Sequence, residues 1–345
     1  MRFYEHGGDI YSGAPVTLDF SVNTHPLGMV PEAAALLARS TEDFALYPDA
    51  RCRRLTQALS IHWGVDESQI LCGGGAADLI FRVCAALRPR VVLTLSPTFS
   101  EYGRPARLFG GELREHRLWE ENGFLPTEAL LCDITEDVDV LFFCNPNNPT
   151  GQLCPTALME KLLERCRETG TVPVIDECFL PFTEGASVLP YLERFPQLLI
   201  LRAFTKLYAM AGLRLGVLLG HPALLSRIAP FGPEWAVSVP AQLAGEASLL
   251  AEPEWTENTR RYVAQERARM SGLLQEAGLT VYPGAANFLL CRGDPALSQK
   301  LEARGILVRR CGSFAGLDDS FIRIGLKTKE KDDALLRAIQ EVLHG

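Results

Sequence analysis

The chain has 345 residues, of which 47% are hydrophobic and 22% charged. That is the balance of a soluble globular protein, so wholesale disorder is excluded and about two domains are expected. Lys and Arg number 34 against 42 Asp and Glu, and the net charge of −8 excludes a generally basic nucleic-acid binder while leaving room for a local anion site.

No apolar run approaches the ~20 residues of a membrane span. The opening Met1-Arg2-Phe3-Tyr4-Glu5-His6 has no apolar core of a signal peptide, so no membrane partner and a cytoplasmic location are expected. Ten cysteines, at 52, 72, 84, 132, 144, 154, 166, 178, 291 and 311, include no CxxC pair, and the histidines show no i, i+4 pairing. This pattern favours small buried hydrophobes in a reducing compartment, and no metal is expected.

Residues 1–24 have no clear period and are expected to form an N-terminal arm. From about 69 to 220, short β-rich runs alternate with helical stretches. Strands are expected at 69–72, 90–95, 138–144, 172–176, 198–202 and 216–219. After Asp78, the apolar residues Leu79, Ile80, Val83, Cys84 and Leu87 fall on one helix face, and 156–169 reads the same way. Alternating strands and helices predict an α/β large domain over 25–235 with a mostly parallel central sheet. Beyond it, a long helix is expected over 253–278, stopped by Gly278. Short strands at 287–292, 306–309 and 321–325 and a last helix at 328–343 complete a smaller C-terminal α+β domain over 236–345.

Four segments carry chemistry. Cys72-Gly73-Gly74-Gly75-Ala76-Ala77-Asp78 joins a strand to a helix and reads equally as a phosphate cradle or a tight turn. Its spacing is neither a P-loop nor GxGxxG, which disfavours ATP and NAD. Asn145-Pro146-Asn147-Asn148-Pro149-Thr150-Gly151 is a rigid loop at the carboxyl end of a strand, where open α/β sheets place ligands, and either central amide could orient one. Asp176 ends the next strand, where a carboxylate can keep a ring nitrogen protonated or cap the following element. Lys206 follows a buried strand, where lost solvation lowers an amine's pKa and readies it to form an imine with an aldehyde. Thr205 and Arg214 bring a hydroxyl and a fixed positive charge suited to a phosphate.

In order and spacing these segments resemble the fold-type I pyridoxal 5′-phosphate (PLP) enzymes over nearly the whole chain. The resemblance implies PLP as cofactor and Lys206 as its covalent anchor and proton carrier. Asp176 would pair with the ring nitrogen, Asn148 would hydrogen-bond the ring hydroxyl, and Tyr102, in Pro97-Thr98-Phe99-Ser100-Glu101-Tyr102, would stack on the ring. Ala76, Ala77, Thr205 and Arg214 would hold the cofactor phosphate. Tyr47, in Leu46-Tyr47-Pro48-Asp49, resembles a tyrosine that crosses a homodimer interface to the neighbouring site. Arg323, in Phe321-Ile322-Arg323-Ile324-Gly325, resembles the arginine that binds a substrate carboxylate.

Within fold type I the chain resembles the histidinol-phosphate aminotransferase group and, more closely, the threonine-phosphate decarboxylases of cobalamin biosynthesis. His6-Gly7-Gly8-Asp9, the run 18–23 with Pro26-Leu27-Gly28-Met29, and the segments 282–290, 306–311 and 316–318 carry that likeness. Phe179 stands three residues after Asp176, where the aminotransferases usually carry Tyr and the decarboxylases carry Phe. On this resemblance His6, Gly7, Asn23, Asn148, Arg309 and Arg323 would contact a phosphorylated amino acid, L-threonine O-3-phosphate, and decarboxylation would yield (R)-1-amino-2-propanol O-2-phosphate. Serine phosphate lacks one methyl group, a difference worth only about 1–3 kcal/mol, and stays open as a substrate. The alternative is a histidinol-phosphate aminotransferase or related class I/II aminotransferase. A third reading, a PLP-binding regulator without turnover, meets the objection that the short arm has no room for a DNA-binding module.

Overall fold

The structure, a computed structural model, describes residues 6–11 and 15–344. The opening five residues, on which the signal-peptide reading rests, lie outside the described residues. The strands, in chain order, are β1 (Leu18–Asp19), β2 (Ile70–Gly73), β3 (Val91–Ser96), β4 (Glu112–Arg117), β5 (Val140–Cys144), β6 (Val172–Asp176), β7 (Leu199–Ala203), β8 (Gly216–Gly220), β9 (Thr280–Val281), β10 (Phe288–Arg292), β11 (Ile306–Leu307), β12 (Arg309–Arg310) and β13 (Phe321–Gly325).

Seven strands form a central sheet in the order β2-β8-β7-β6-β5-β3-β4. Among the described residues β8 alone runs antiparallel to its neighbours in this sheet. β3, β5 and β8 are buried along their whole length, as strands covered on both faces must be. Helix Ala76–Leu87 buries the expected face of Leu79, Ile80, Val83 and Cys84. Thr156–Thr169 forms the expected helix and buries Leu158, Met159, Leu162, Leu163 and Cys166. β4, the sheet's edge strand, was not expected. Its sequence ELREHR is half-exposed and charged, as edge strands commonly are, so it lacks an apolar signal.

The topology gathers the chemistry at one edge. β3, β5, β6 and β7 are parallel, so their carboxyl ends lie together. β8 runs the other way, and its first residue, Gly216, pairs with both Ala203 and Gly73. The segments after β2, β3, β5, β6 and β7 therefore meet around the start of β8.

The C-terminal part is an antiparallel sheet in the order β12-β13-β10-β9. The single strand expected at 306–309 is two: β11 pairs with β1, whereas β12 pairs with β13. The arm is thereby stitched to the C-terminal part, since Phe20 N–H donates to Leu307 O at 2.7 Å and Gly325 N–H to Phe20 O at 2.9 Å. Helix Val239–Leu249, expected in the small domain, packs instead on the helices Pro31–Arg39 and Arg53–Trp63.

All ten cysteines are free thiols, eight of them buried, with Cys72 half-buried and Cys132 exposed. Burial alone pushes the Cys84 thiol up to about 12, which keeps it protonated. No helix among the described residues is long and apolar enough to cross a membrane.

Candidate active site

A cavity of about 500 Å³ opens at the gathered strand ends, between the central sheet, the arm and the C-terminal sheet. One end is a cradle of backbone. Gly75 takes φ +95° before helix Ala76–Leu87. A Cβ on Gly75 would lie 2.5 Å from the Arg214 guanidinium, and one on Gly216 would lie 2.7 Å from Ala76 N. Only glycines allow this approach of β8 and Arg214 to the helix start. Arg214 is itself braced by a 3.0 Å hydrogen bond to Ala211 O. Asp78 holds the loop from behind, accepting from Gly74 N–H at 2.8 Å and pairing with Arg82 at 2.6 Å. Ala76, Ala77, Thr205 and Arg214 all line this end. A helix N-terminus with a hydroxyl and a guanidinium suits a phosphate.

The middle of the cavity holds Asp176 and Lys206. Asp176 is buried at the end of β6. Its Oδ2 accepts from Tyr102 Oη at 2.6 Å and its Oδ1 from Cys178 N–H at 2.9 Å. Burial raises its pKa, and the hydrogen bonds from Cys178 and Tyr102 and the charge of Lys206 oppose that rise. Lys206 sits in the short helical turn Phe204–Leu207 after β7 and donates to Asn23 Oδ1 at 3.3 Å. Burial, and then the positive charge of Arg323, lowers its pKa to about 8. About a tenth of the amine is then neutral at pH 7, far more than at its ordinary pKa, which favours it as a nucleophile.

The two central asparagines of the loop after β5 divide their work. Asn147 is structural: it donates to Pro97 O at 2.9 Å and to Thr150 Oγ1 at 3.0 Å, and it accepts from Thr98 at 2.6 Å. Asn148 faces the cavity and its Oδ1 accepts from Arg323.

Stacking on the cofactor ring is the role expected of Tyr102. Tyr102 is fully buried, stacks on Phe142 at 5.1 Å and is not part of the cavity wall. Phe99, three residues earlier, lines the cavity instead, edge-on to Tyr102 at 5.5 Å. The turn Ser100–Tyr102 separates the two residues and buries Tyr102.

The far end is cationic. Arg309 and Arg323 are directly opposed on β12 and β13, and both are buried in the cavity wall. Arg323 donates to Ser21 O at 2.8 Å, and its Nε is buried without a protein partner. Burial lowers its pKa to about 10. Arg309 donates to Ser313 Oγ at 2.8 Å and lies 5.0 Å above the Phe314 ring. Asn23 Nδ2 is likewise buried without a partner. His6 and Gly7 close the mouth, His6 hydrogen-bonding Glu101 at 2.9 Å.

Tyr102 aside, Tyr47 is the one residue expected from sequence that does not line the cavity of its own chain. It is 81% exposed and rests 5.0 Å from the Trp235 ring. Sequence reasoning missed Phe99, Glu101, Arg104 and Phe314 in the wall. Phe99 and Glu101 lie inside the segment singled out for Tyr102, so the signal was there, displaced by one to three residues.

The donor set fits PLP. The cradle matches a phosphate, Asp176 is a buried carboxylate already held by two donors, and Lys206 is a buried amine of lowered proton affinity. Phe99 supplies an aromatic face and Asn148 an amide beside them.

Comparison with known proteins agrees. The family model for aminotransferase class I and II matches residues 15–339. The chain is 37% identical to the threonine-phosphate decarboxylase of Salmonella typhimurium, over 99% of this chain and 97% of that one. Among solved structures, histidinol-phosphate aminotransferase from Clostridium acetobutylicum superposes with a TM-score of 0.87 at 28% identity, covering 94% of this chain and 99% of that one. L-threonine-O-3-phosphate decarboxylase from Porphyromonas gingivalis superposes with a TM-score of 0.83 at 25% identity, covering 95% and 100%. With its largely parallel sheet, C-terminal α+β part and the match over 15–339, the chain belongs to the class I and II aminotransferase family of fold type I.

Proposed function

We propose that the protein is a PLP-dependent carboxy-lyase that converts L-threonine O-3-phosphate to (R)-1-amino-2-propanol O-2-phosphate, a step of cobalamin biosynthesis. The observation that carries this reading is the opposed pair Arg309 and Arg323. Two buried like charges on facing strand positions are unfavourable unless anions meet them. A substrate bearing both a phosphate and a carboxylate supplies two. The full-length relative and Phe179, which puts no hydroxyl three residues after Asp176, support the same choice.

PLP, when bound, takes up the electron pair released at the substrate's Cα. The chain's residues do the rest. Ala76, Ala77, Thr205 and Arg214 hold the cofactor phosphate. Asp176 keeps the ring nitrogen's proton, and Asn148 orients the ring hydroxyl. Arg323 and Asn148 hold the substrate carboxylate, while Arg309, His6, Asn23 and the backbone of Gly7 hold the phosphate. These anchors decide which bond at Cα is presented for cleavage, and a shift of about an ångström would present another. Lys206 then returns a proton to Cα.

A homodimer completes the reading, with Tyr47 reaching the partner's cofactor phosphate. Tyr47 is exposed beside Trp235, and Phe44, Leu46 and Phe231 are exposed as well, which is apolar surface of the kind a second copy covers. Ten free thiols suit a reducing compartment, and we place the protein in the cytoplasm. Amino transfer is the second reading, favoured by the superposition on an aminotransferase.

The test is to incubate holoenzyme with L-threonine O-3-phosphate and measure CO₂ and the amine product, with serine phosphate alongside. Absence of CO₂, together with efficient amino transfer from glutamate to imidazole-acetol phosphate, would overturn the proposal.

A further inference from the structure

Glu101 and Asp176 are the acids in the wall of a cavity that also carries the cations Arg104, Arg214, Lys206, Arg309 and Arg323; Asp176 lies in its middle, whereas Glu101 lies with His6 and Gly7. It is only 7% exposed. Left alone it would repel a phosphorylated substrate. It is not alone: Oε1 meets His6 Nε2 at 2.9 Å and Oε2 meets Arg104 Nη1 at 3.8 Å. The His6 hydrogen bond first, and then the charges of His6 and Arg104, hold its carboxyl below the usual range.

The arm is held at two points across the cavity mouth. At one, Gly7 presses on the backbone of Ser21, where a Cβ would come within 2.2 Å of Ser21 O, and Gly8 N–H donates to Ser21 Oγ at 2.7 Å. The same Ser21 carbonyl accepts from Arg323. At the other, His6 is tied to Glu101 on the turn Ser100–Tyr102. The His6 side chain is 45% exposed, so solvent competes for it.

We infer that Glu101 is a positioning residue: it fixes His6, and with it the Gly7–Gly8 segment, against the cavity so that the arm can clasp the substrate's phosphoryl group. This rests on the reading that the substrate is a phosphorylated amino acid. Glu101 acts on the substrate through His6. The arm end becomes a clasp whose closing contact lies 95 residues away in sequence.

The experiment uses holoenzyme of the parent, Glu101→Gln, Glu101→Asp, His6→Ala and the double variant Glu101→Gln/His6→Ala. For each, the dissociation constants of L-threonine O-3-phosphate and of unphosphorylated L-threonine are read from the cofactor's visible spectrum, and KM and kcat from CO₂ release. Loss of one charge-assisted hydrogen bond predicts that Glu101→Gln raises KM and the dissociation constant for the phosphorylated ligand by roughly tenfold, with kcat moving less than about twofold. L-threonine binding should not change, Glu101→Asp should recover part of the loss, and Glu101→Gln should add less than about twofold once His6 is gone. Parent-like binding in Glu101→Gln, an equal loss for L-threonine, or a full loss persisting in the His6→Ala background would overturn the inference. If the parent itself releases no CO₂, the decarboxylase reading fails, while the dissociation constants still decide the role of Glu101.

Discussion

Tyr102 Oη donates to Asp176 Oδ2 at 2.6 Å, with both side chains buried. The hydroxyl reaches the acid from the interior side, where the Tyr102 ring lies flat on Phe142 with planes 5° apart. Tyr102 is thus part of the support beneath the acid. It shares that task with Cys178 N–H, and together they oppose the burial that favours a protonated Asp176. An ionised acid at the end of β6 is what a protonated ring nitrogen needs opposite it.

Tyr102→Phe removes this donor and keeps the ring. Asp176 then holds its own proton more readily and pairs less well with the ring nitrogen. CO₂ release should fall by roughly tenfold, equivalent to about 1.4 kcal/mol, and the cofactor should dissociate more easily. Turnover assays and cofactor titration check this, and parent-like values for both would show that Cys178 N–H alone suffices. Phe99→Ala should weaken cofactor binding without touching Asp176, since Phe99 is an aromatic residue of the wall, with Phe179 and Phe314.

The buried amine of Lys206 links stability to pH. Its pKa is lowered to about 8 from the ordinary 10.5, chiefly by burial. Between those values the unfolded chain binds more protons than the folded one, so the Lys206 contribution to stability rises with pH across that window. Below about pH 8 the cost of the buried charge is fully present and constant. Lys206→Met lacks this cost, so its stability advantage in the cofactor-free protein should be largest near pH 7 and shrink by pH 10. Urea unfolding of both proteins at several pH values measures the difference, in which the other titrating groups cancel. A difference that does not vary with pH would show that Lys206 is solvated in the folded protein.

What could be read from sequence followed where apolar runs end in abrupt punctuation. β6 (Val172–Asp176), β13 (Phe321–Gly325) and helix Thr156–Thr169 match their expected bounds because Asp176, Gly325 and Gly170 close the runs, with Pro155 opening the helix. Asp176 and Arg323 were legible for the same reason, since each sits on such an element, while Lys206 follows β7 in the short turn Phe204–Leu207 and Arg214 stands in the loop just before β8. Features set by distant partners were not legible. The break between β11 and β12 exists because one half pairs with the arm and the other with β13. The choice between Asn147 and Asn148 depends on Pro97 and Thr98, some 50 residues earlier in the chain. Which of Phe99 and Tyr102 lines the cavity is not encoded in the spacing of aromatics. The tie of His6 to Glu101 has no local signal at all.

Tyr47 gives a test of assembly that does not depend on the reaction's outcome. It is 81% exposed, its neighbour Trp235 is 53% exposed, and the two rings lie 5.0 Å apart, with Phe44 and Leu46 exposed as well. An amphipathic ring held outward in such apolar surface can serve the site of a second copy. If it does, Lys206→Ala dimers are inactive and Tyr47→Ala dimers bind cofactor poorly, yet each variant retains what the other lacks. A mixed dimer then has one site with both Lys206 and a Tyr47 lent by its partner. Random pairing of equal amounts makes about half the dimers mixed, so roughly a quarter of the parental sites should return at limiting cofactor. Activity of the re-equilibrated mixture, with its mass by sedimentation, measures this. A dimeric mixture no more active than the average of its two components would mean that Tyr47 serves its own chain or none.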